Sequence, residues 1–225
     1  MTWWRMTRHM SEYAVLVVRG VVACRSDRAM TDDAATDLPS WDERGLLPPV
    51  RPGADGTSPD RSPYRTTILE VTRCFSMSAE RRKILRGFLA LRSKLYELGF
   101  SEGFQWLNGS FFEHVEATLG RPPGDIDVVT FTKLGTEASQ LALIEAAPDL
   151  FYPRLAKQKY LVDHYFSGLG EEMQRMDVRW VAYWYSMWSH RRDNQWKGFV
   201  EISLDTAGDA GALALLDTQE SEDVT

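Results

Sequence analysis

The 225-residue sequence predicts an α+β domain built around one mixed sheet. Two observations predict it. Apolar residues recur at helical spacing in some segments and alternate or run together in short strand-like ones, and the two kinds of segment succeed each other along residues 66–204. Ser78 can cap a helix whose apolar positions Ile84, Phe88, Leu91, Leu95 and Leu98 lie on one face, with Gly99 as its stop. A strand at 104–107 follows, then Gly109-Ser110 and a short helix over 112–118. The turn Arg121-Pro-Pro-Gly124 leads into a strand over 125–131, and a helix over 136–146 ends before Pro148. A strand over 158–166, an aromatic helix over 171–190 and an alternating strand over 199–204 complete the core.

The ends differ from this core. Residues 1–37 read as a leader or a disordered N-terminus, and Met30 offers an alternative start that would leave 1–29 outside the native protein. Residues 38–65 are rich in proline (six of the ten lie between Pro39 and Pro63) and read as an extended arm anchored by Trp41, Leu46 and Leu47. Residues 205–225 carry six acids and no base and read as a disordered tail.

With 44% hydrophobic residues the chain can fill a core, which excludes wholesale disorder. A net charge of −6 excludes a uniformly basic nucleic-acid coat but not a local basic cleft. Cys24 and Cys74 are far apart in sequence, which excludes a zinc knuckle or disulfide scaffold and suits a cytoplasmic protein. The longest apolar run, from Tyr13 to Cys24, is broken by Arg19 and Gly20, so no membrane span is expected.

The chemistry concentrates in Trp106-Leu-Asn-Gly-Ser110 and Asp125-Ile-Asp127-Val-Val. Alternation on a strand puts Asp125 and Asp127 on one face, about 7 Å apart at their Cα atoms. Two carboxylates there repel unless a cation lies between them, and a hard divalent ion with oxygen ligands is the common answer. Gly109-Ser110 leaves a strand for a helix, where glycine permits close approach and free N–H groups suit phosphate. Phosphoryl transfer needs such a pairing of cation platform and phosphate cradle.

Gly-Ser, a spacer and Asp-x-Asp on the next strand resemble the nucleotidyltransferase superfamily that includes DNA polymerase beta and kanamycin nucleotidyltransferase. Tyr183-Trp184 and Arg192 to Lys197-Gly198 are similar to an uncharacterised bacterial subfamily of minimal members. The resemblance covers about 38–204 and implies a mixed, mostly antiparallel sheet flanked by helices. It also implies a third carboxylate on a later strand, a role carried to Asp163. Two Mg²⁺ ions, or Mn²⁺ in their place, would be held by Asp125, Asp127 and Asp163, with Asn108, Gly109 and Ser110 on the phosphates of an NTP. Such members transfer a nucleoside monophosphate to a hydroxyl of RNA, a tRNA end or a protein, often in toxin–antitoxin or phage-defence systems, so a cognate toxin or antitoxin is an implied partner.

Other residues read less sharply. Lys157 and Lys159 precede Asp163 and, on one strand, share its face, as triphosphate contacts or as lysines that protect a sheet edge. Arg191, Arg192 and Lys197 form a cluster that can grip phosphates or simply end a helix. Trp180, Trp184 and Trp188 read as core rather than a base-stacking platform, His164 as facing away from Asp163, and Glu113 and Glu116 as first-turn helix charges. Asp125 as a turn cap and Asp127 as an edge charge is the structural alternative, and it leaves Asp163 without a reason. A catalytically inactive antitoxin or partner-binding module is the functional alternative. A metal hydrolase is disfavoured by the lack of a histidine cluster.

Overall fold

A computed structural model describes residues 37–170 and 172–223. The expected leader lies outside the described residues, apart from its last residue. Five strands form one sheet in the order β1-β5-β2-β3-β4: β1 Tyr64–Thr66, β2 Phe104–Asn108, β3 Ile126–Thr132, β4 Val162–Gly168 and β5 Val200–Ser203. The inner ladders, β5 to β2 and β2 to β3, are antiparallel, and the outer ones, β1 to β5 and β3 to β4, are parallel. The expected mixed α+β sheet is therefore present.

Alternation divides the sheet into two unlike faces. Leu107, Ile126, Val128, Val162, Val200 and Ile202 enter the main core, covered by helices α1 (Ile68–Phe75), α2 (Ala79–Glu97), α4 (Glu137–Ala146), α5 (Pro148–Phe151) and α6 (Pro153–Tyr160). Trp106, Val129 and Phe131 face the other way, into a smaller aromatic core with Trp184 and Trp188 of α7 (Arg175–Trp188) and Phe199. A short α3 (Val115–Leu119) follows β2, and α8 (Asp209–Glu222) closes the described chain.

Helix α2 forms as its sequence dictates, with the Ser78 hydroxyl accepting from the Arg81 N–H at 3.3 Å and Ile84, Phe88, Leu91 and Leu95 buried. Gly87 is required for packing: a Cβ there would lie 1.9 Å from the Tyr160 carbonyl oxygen, so only glycine lets α2 cross α6 this closely. The helix expected over 136–146 does end before Pro148. One expectation is corrected at α6: Pro148 and Pro153 open two further short helices, so 158–160 are helical and the strand starts at Val162. Leu161, at φ 58°, turns the chain from α6 into β4.

The acidic C-terminal segment is also not the disordered tail its composition predicts. It forms α8, burying Ala212 and Leu216. Arg86 donates to Asp217 at 2.6 Å and Glu220 at 2.9 Å, Arg92 binds Asp209 at 2.9 Å, and Arg82 pairs with Asp223. The bases that balance this segment lie on α2, more than 100 residues upstream.

The arm is anchored where expected. Leu46 and Leu47 are buried, and the Trp41 indole N–H donates to the Phe112 carbonyl at 2.8 Å while its ring stacks on His114 at 4.4 Å. The arm touches two further segments: Gly45 O accepts from His114 N–H at 2.8 Å, and Leu47 O accepts from Gly198 N–H at 2.7 Å.

Candidate metal centre

Strand register assembles the site. Asn108 of β2 pairs with Asp127 of β3, and Asp127 pairs with Asp163 of β4, so three polar side chains stand abreast on the aromatic face at one end of the sheet. Asp125 comes just before β3 rather than on it, yet its carboxylate joins the group. One ligand oxygen from each of Asp125, Asp127 and Asp163 lies within 4.8 Å of the others. All three are partly buried.

Gly109 makes room for this cluster. It has φ 89°, a conformation that favours glycine, and a Cβ at this position would meet Asp127 Oδ2 at 2.9 Å. Ser110 opens a single 3-10 turn, Ser110–Phe112, and the short helix expected over 112–118 starts only at Val115.

The electrostatics call for a cation. Burial, then the charges of Asp125 and Asp163, push the Asp127 carboxyl up to about 7, against the pull of Lys197 and Lys157. Burial also raises Asp163, although the Tyr165 hydroxyl and Lys157 favour its ionised form. Lys157 reaches in from α6 to pair with Asp125. An all-oxygen set of three crowded carboxylates fits a hard divalent ion such as Mg²⁺, which is bound by few carboxylates and completes its shell with water or phosphate.

Because Asp127 and Asp163 bind protons more tightly in the folded state than in the unfolded one, the stability they contribute is complete below the ordinary carboxylate range. It is lost as pH rises through about 7 for Asp127. The metal-free protein should therefore melt at progressively lower temperature between about pH 4 and 7. The stabilisation given by millimolar Mg²⁺ should grow over the same interval, and a scanning-fluorimetry series with and without Mg²⁺ checks both trends.

The trio opens into a cavity of about 650 Å³. Gly109, Ser110, Lys157, Lys197, Arg191 and Arg192 line it beside the three aspartates, so these expected residues are brought together. Lys159 is not. It points away from the cavity and binds Asp149 at 2.5 Å, because 157–159 is helix and not strand. Lys157 reaches the site from the helix instead of sharing a strand face with Asp163.

Two roles change. Lys197 is buried and donates to Glu113 Oε1 at 2.6 Å and, more weakly, to the Gly109 carbonyl at 3.4 Å. It therefore braces the Gly109-Ser110 turn. Glu113 is not a first-turn helix charge but the buried partner of Lys197, with Arg191 3.7 Å from its other oxygen. Glu116 does stand in the first turn of α3, as expected, and pairs with the fully buried Arg81, whose guanidinium also binds the carbonyls of Phe111 and Glu113. The sequence offers no signal that Glu113 is buried.

Asn108 shows a different chemistry from a phosphate donor. Its Nδ2 donates to the Trp188 carbonyl at 3.1 Å, an oxygen that can only accept, so the side chain must present Oδ1 elsewhere. That oxygen is buried and lacks a protein partner among the described residues. His164 faces away from Asp163 as expected: its ring bonds Thr130 at 2.8 Å and the Leu150 carbonyl at 2.9 Å, and burial lowers it to about 4. Trp184 and Trp188 are core residues as expected, yet both also line the cavity, whereas Trp180, expected with them, is only half-buried and joins neither core.

A carboxylate trio at the edge of a mixed α+β sheet, beside a glycine turn and several cations, defines a candidate centre for a hard metal ion and an anionic ligand. The chain belongs to the DUF6932 family, a family of unknown function whose model matches residues 39–203. No curated protein and no solved structure matches the chain. Among the described residues no helix is long and apolar enough to cross a membrane.

Proposed function

We propose that this protein is a metal-dependent nucleotidyltransferase with a nucleotidyltransferase-type fold, moving a nucleoside monophosphate from an NTP to a hydroxyl of RNA, a tRNA end or a protein. The observation that carries the reading is the register of Asn108, Asp127 and Asp163 across three adjacent strands, with Asp125 joining them and the Gly109-Ser110 turn beside them. Asp125, Asp127 and Asp163 are the residues that would hold Mg²⁺. Bound there, the metal would neutralise the crowded carboxylates and the charge that develops on the transferring phosphate.

The protein's own groups divide the remaining work. Gly109 and Ser110 offer a turn that a phosphate can approach without meeting a side chain at Gly109. Arg191, Arg192 and Lys157 offer cations to the phosphates, while Lys197 keeps the turn in place. Asp163 stands beside Asp127 in the trio and is the carboxylate assigned to receive the acceptor hydroxyl proton as the oxygen–phosphorus bond forms. Pyrophosphate leaves as the α–β phosphate bridge breaks.

Incubation of the protein with each α-labelled NTP, Mg²⁺, total RNA and a cell lysate tests the reading. A labelled RNA or protein band that disappears in EDTA is expected. Labelling of no species, together with no thermal stabilisation by Mg²⁺ and any NTP, overturns the reading and favours a binding module instead.

A further inference from the structure

We infer that the α7 wall of the cavity is the subsite for the nucleobase of the bound nucleotide, an inference that rests on the transferase reading. The cavity has two chemically unlike sides. One carries the aspartates and cations, and the other is built from Tyr183, Trp184, Met187 and Trp188 on successive turns of α7. Residues four apart share a helix face. Tyr183 and Met187 accordingly form the lip, with Met187 39% exposed, while Trp184 and Trp188 are buried behind it.

The wall is rigid. Trp184 meets Trp188 edge-on at 5.8 Å and Tyr165 at 5.2 Å, and Trp188 meets Phe199 edge-on at 5.9 Å. Tyr183 contacts Trp180 at 5.9 Å and Trp184 at 5.4 Å, both edge-on, so no ring stacks face to face on it among the described residues. A half-buried tyrosine backed by fixed tryptophans offers a planar ring a stacking surface with little side-chain entropy to lose. Met187 adds a polarizable sulfur beside it.

Asn108 links the two sides, being paired with Asp127 and bonded to the Trp188 carbonyl. Its Oδ1 is a buried acceptor without a protein partner in a residue only 3% exposed, and such a group needs a donor. A sugar hydroxyl supplies a donor and a phosphate oxygen does not. Phosphates at the cation side, sugar at Asn108 and base on Tyr183 follow the order of groups in a nucleotide. Stacking tolerates any base, so the subsite takes purine and pyrimidine nucleotides alike.

Isothermal titration of the full chain with Mg²⁺-ATP and with Mg²⁺-tripolyphosphate tests this. Wild type should bind ATP at least about tenfold more tightly than tripolyphosphate. Tyr183→Ala should weaken ATP binding about fivefold or more and leave tripolyphosphate binding, which also reports the fold, unchanged. Tyr183→Phe should retain the preference, and Met187→Ala should reduce it. Equal wild-type affinities for the two ligands, or a Tyr183→Ala loss shared by both, overturns the base subsite and leaves the transferase reading standing. Failure of wild type to bind either ligand overturns the transferase reading and the subsite with it.

Discussion

Asp127→Asn should abolish nucleotidyl transfer, by a factor of roughly 10³ or more, while leaving the metal-free protein at least as stable as wild type. The two halves of this expectation come from the same geometry. Asp127 is flanked by Asp125 and Asp163, and with them it forms the only cluster among the described residues whose carboxylates could share a metal ion. Without its charge the ion loses its central ligand. The folded protein, however, loses a carboxylate that burial and two like charges already oppose. Asparagine keeps the shape and relieves that opposition, so the melting temperature should hold or rise in EDTA and should stop responding to Mg²⁺. Transfer of label from an α-labelled NTP, read beside thermal melts, checks both parts. Full activity in the variant would remove Asp127 from the proposed centre.

Lys197→Met should cost about 3 kcal/mol of folding stability, one of the largest single losses outside the apolar core. Both ends of the Lys197–Glu113 pair are buried, so removing the ammonium leaves a carboxylate out of water without its closest partner. Arg191, at 3.7 Å from Glu113, can recover only part of the loss. The double variant Glu113→Gln, Lys197→Met should regain most of it, because no unpaired charge remains. Urea unfolding of the two single variants and the double variant measures the coupling. Additive losses would show that the pair does not act as a unit.

The sequence made the strands around the trio legible because their apolar runs are short and bounded by Gly or Pro turns, and α2 legible because its period is long and capped. The carboxylate of Asp127 was legible for the same reason, since a charge on an otherwise apolar strand is conspicuous, and Asp125 was found with it although it lies just before the strand. What could not be read depends on partners distant in sequence. Helix α8 looks unfoldable by composition, since the arginines that balance its acids belong to α2. Strand β1 has three residues and exists through parallel pairing with β5, far along the chain. The strand around Asp163 was read as starting at 158, four residues early, because nothing local marks the turn at Leu161, and that put Lys159 on the wrong face of the wrong element. Glu113 looked like a helix-surface charge because nothing local reveals that Lys197 comes to meet it.

The arm between Trp41 and Pro48 has a practical consequence for where this domain can be cut. It holds the segment after Gly109-Ser110 through Trp41 and Gly45, and it holds the segment after Lys197 through Leu47. A fragment begun at the first strand would keep the aspartate trio and every strand of the sheet. It would nonetheless lose the tie between the two ends of the Glu113–Lys197 brace. The ties that hold the centre thus begin upstream of the first described strand, inside the stretch that the family match covers.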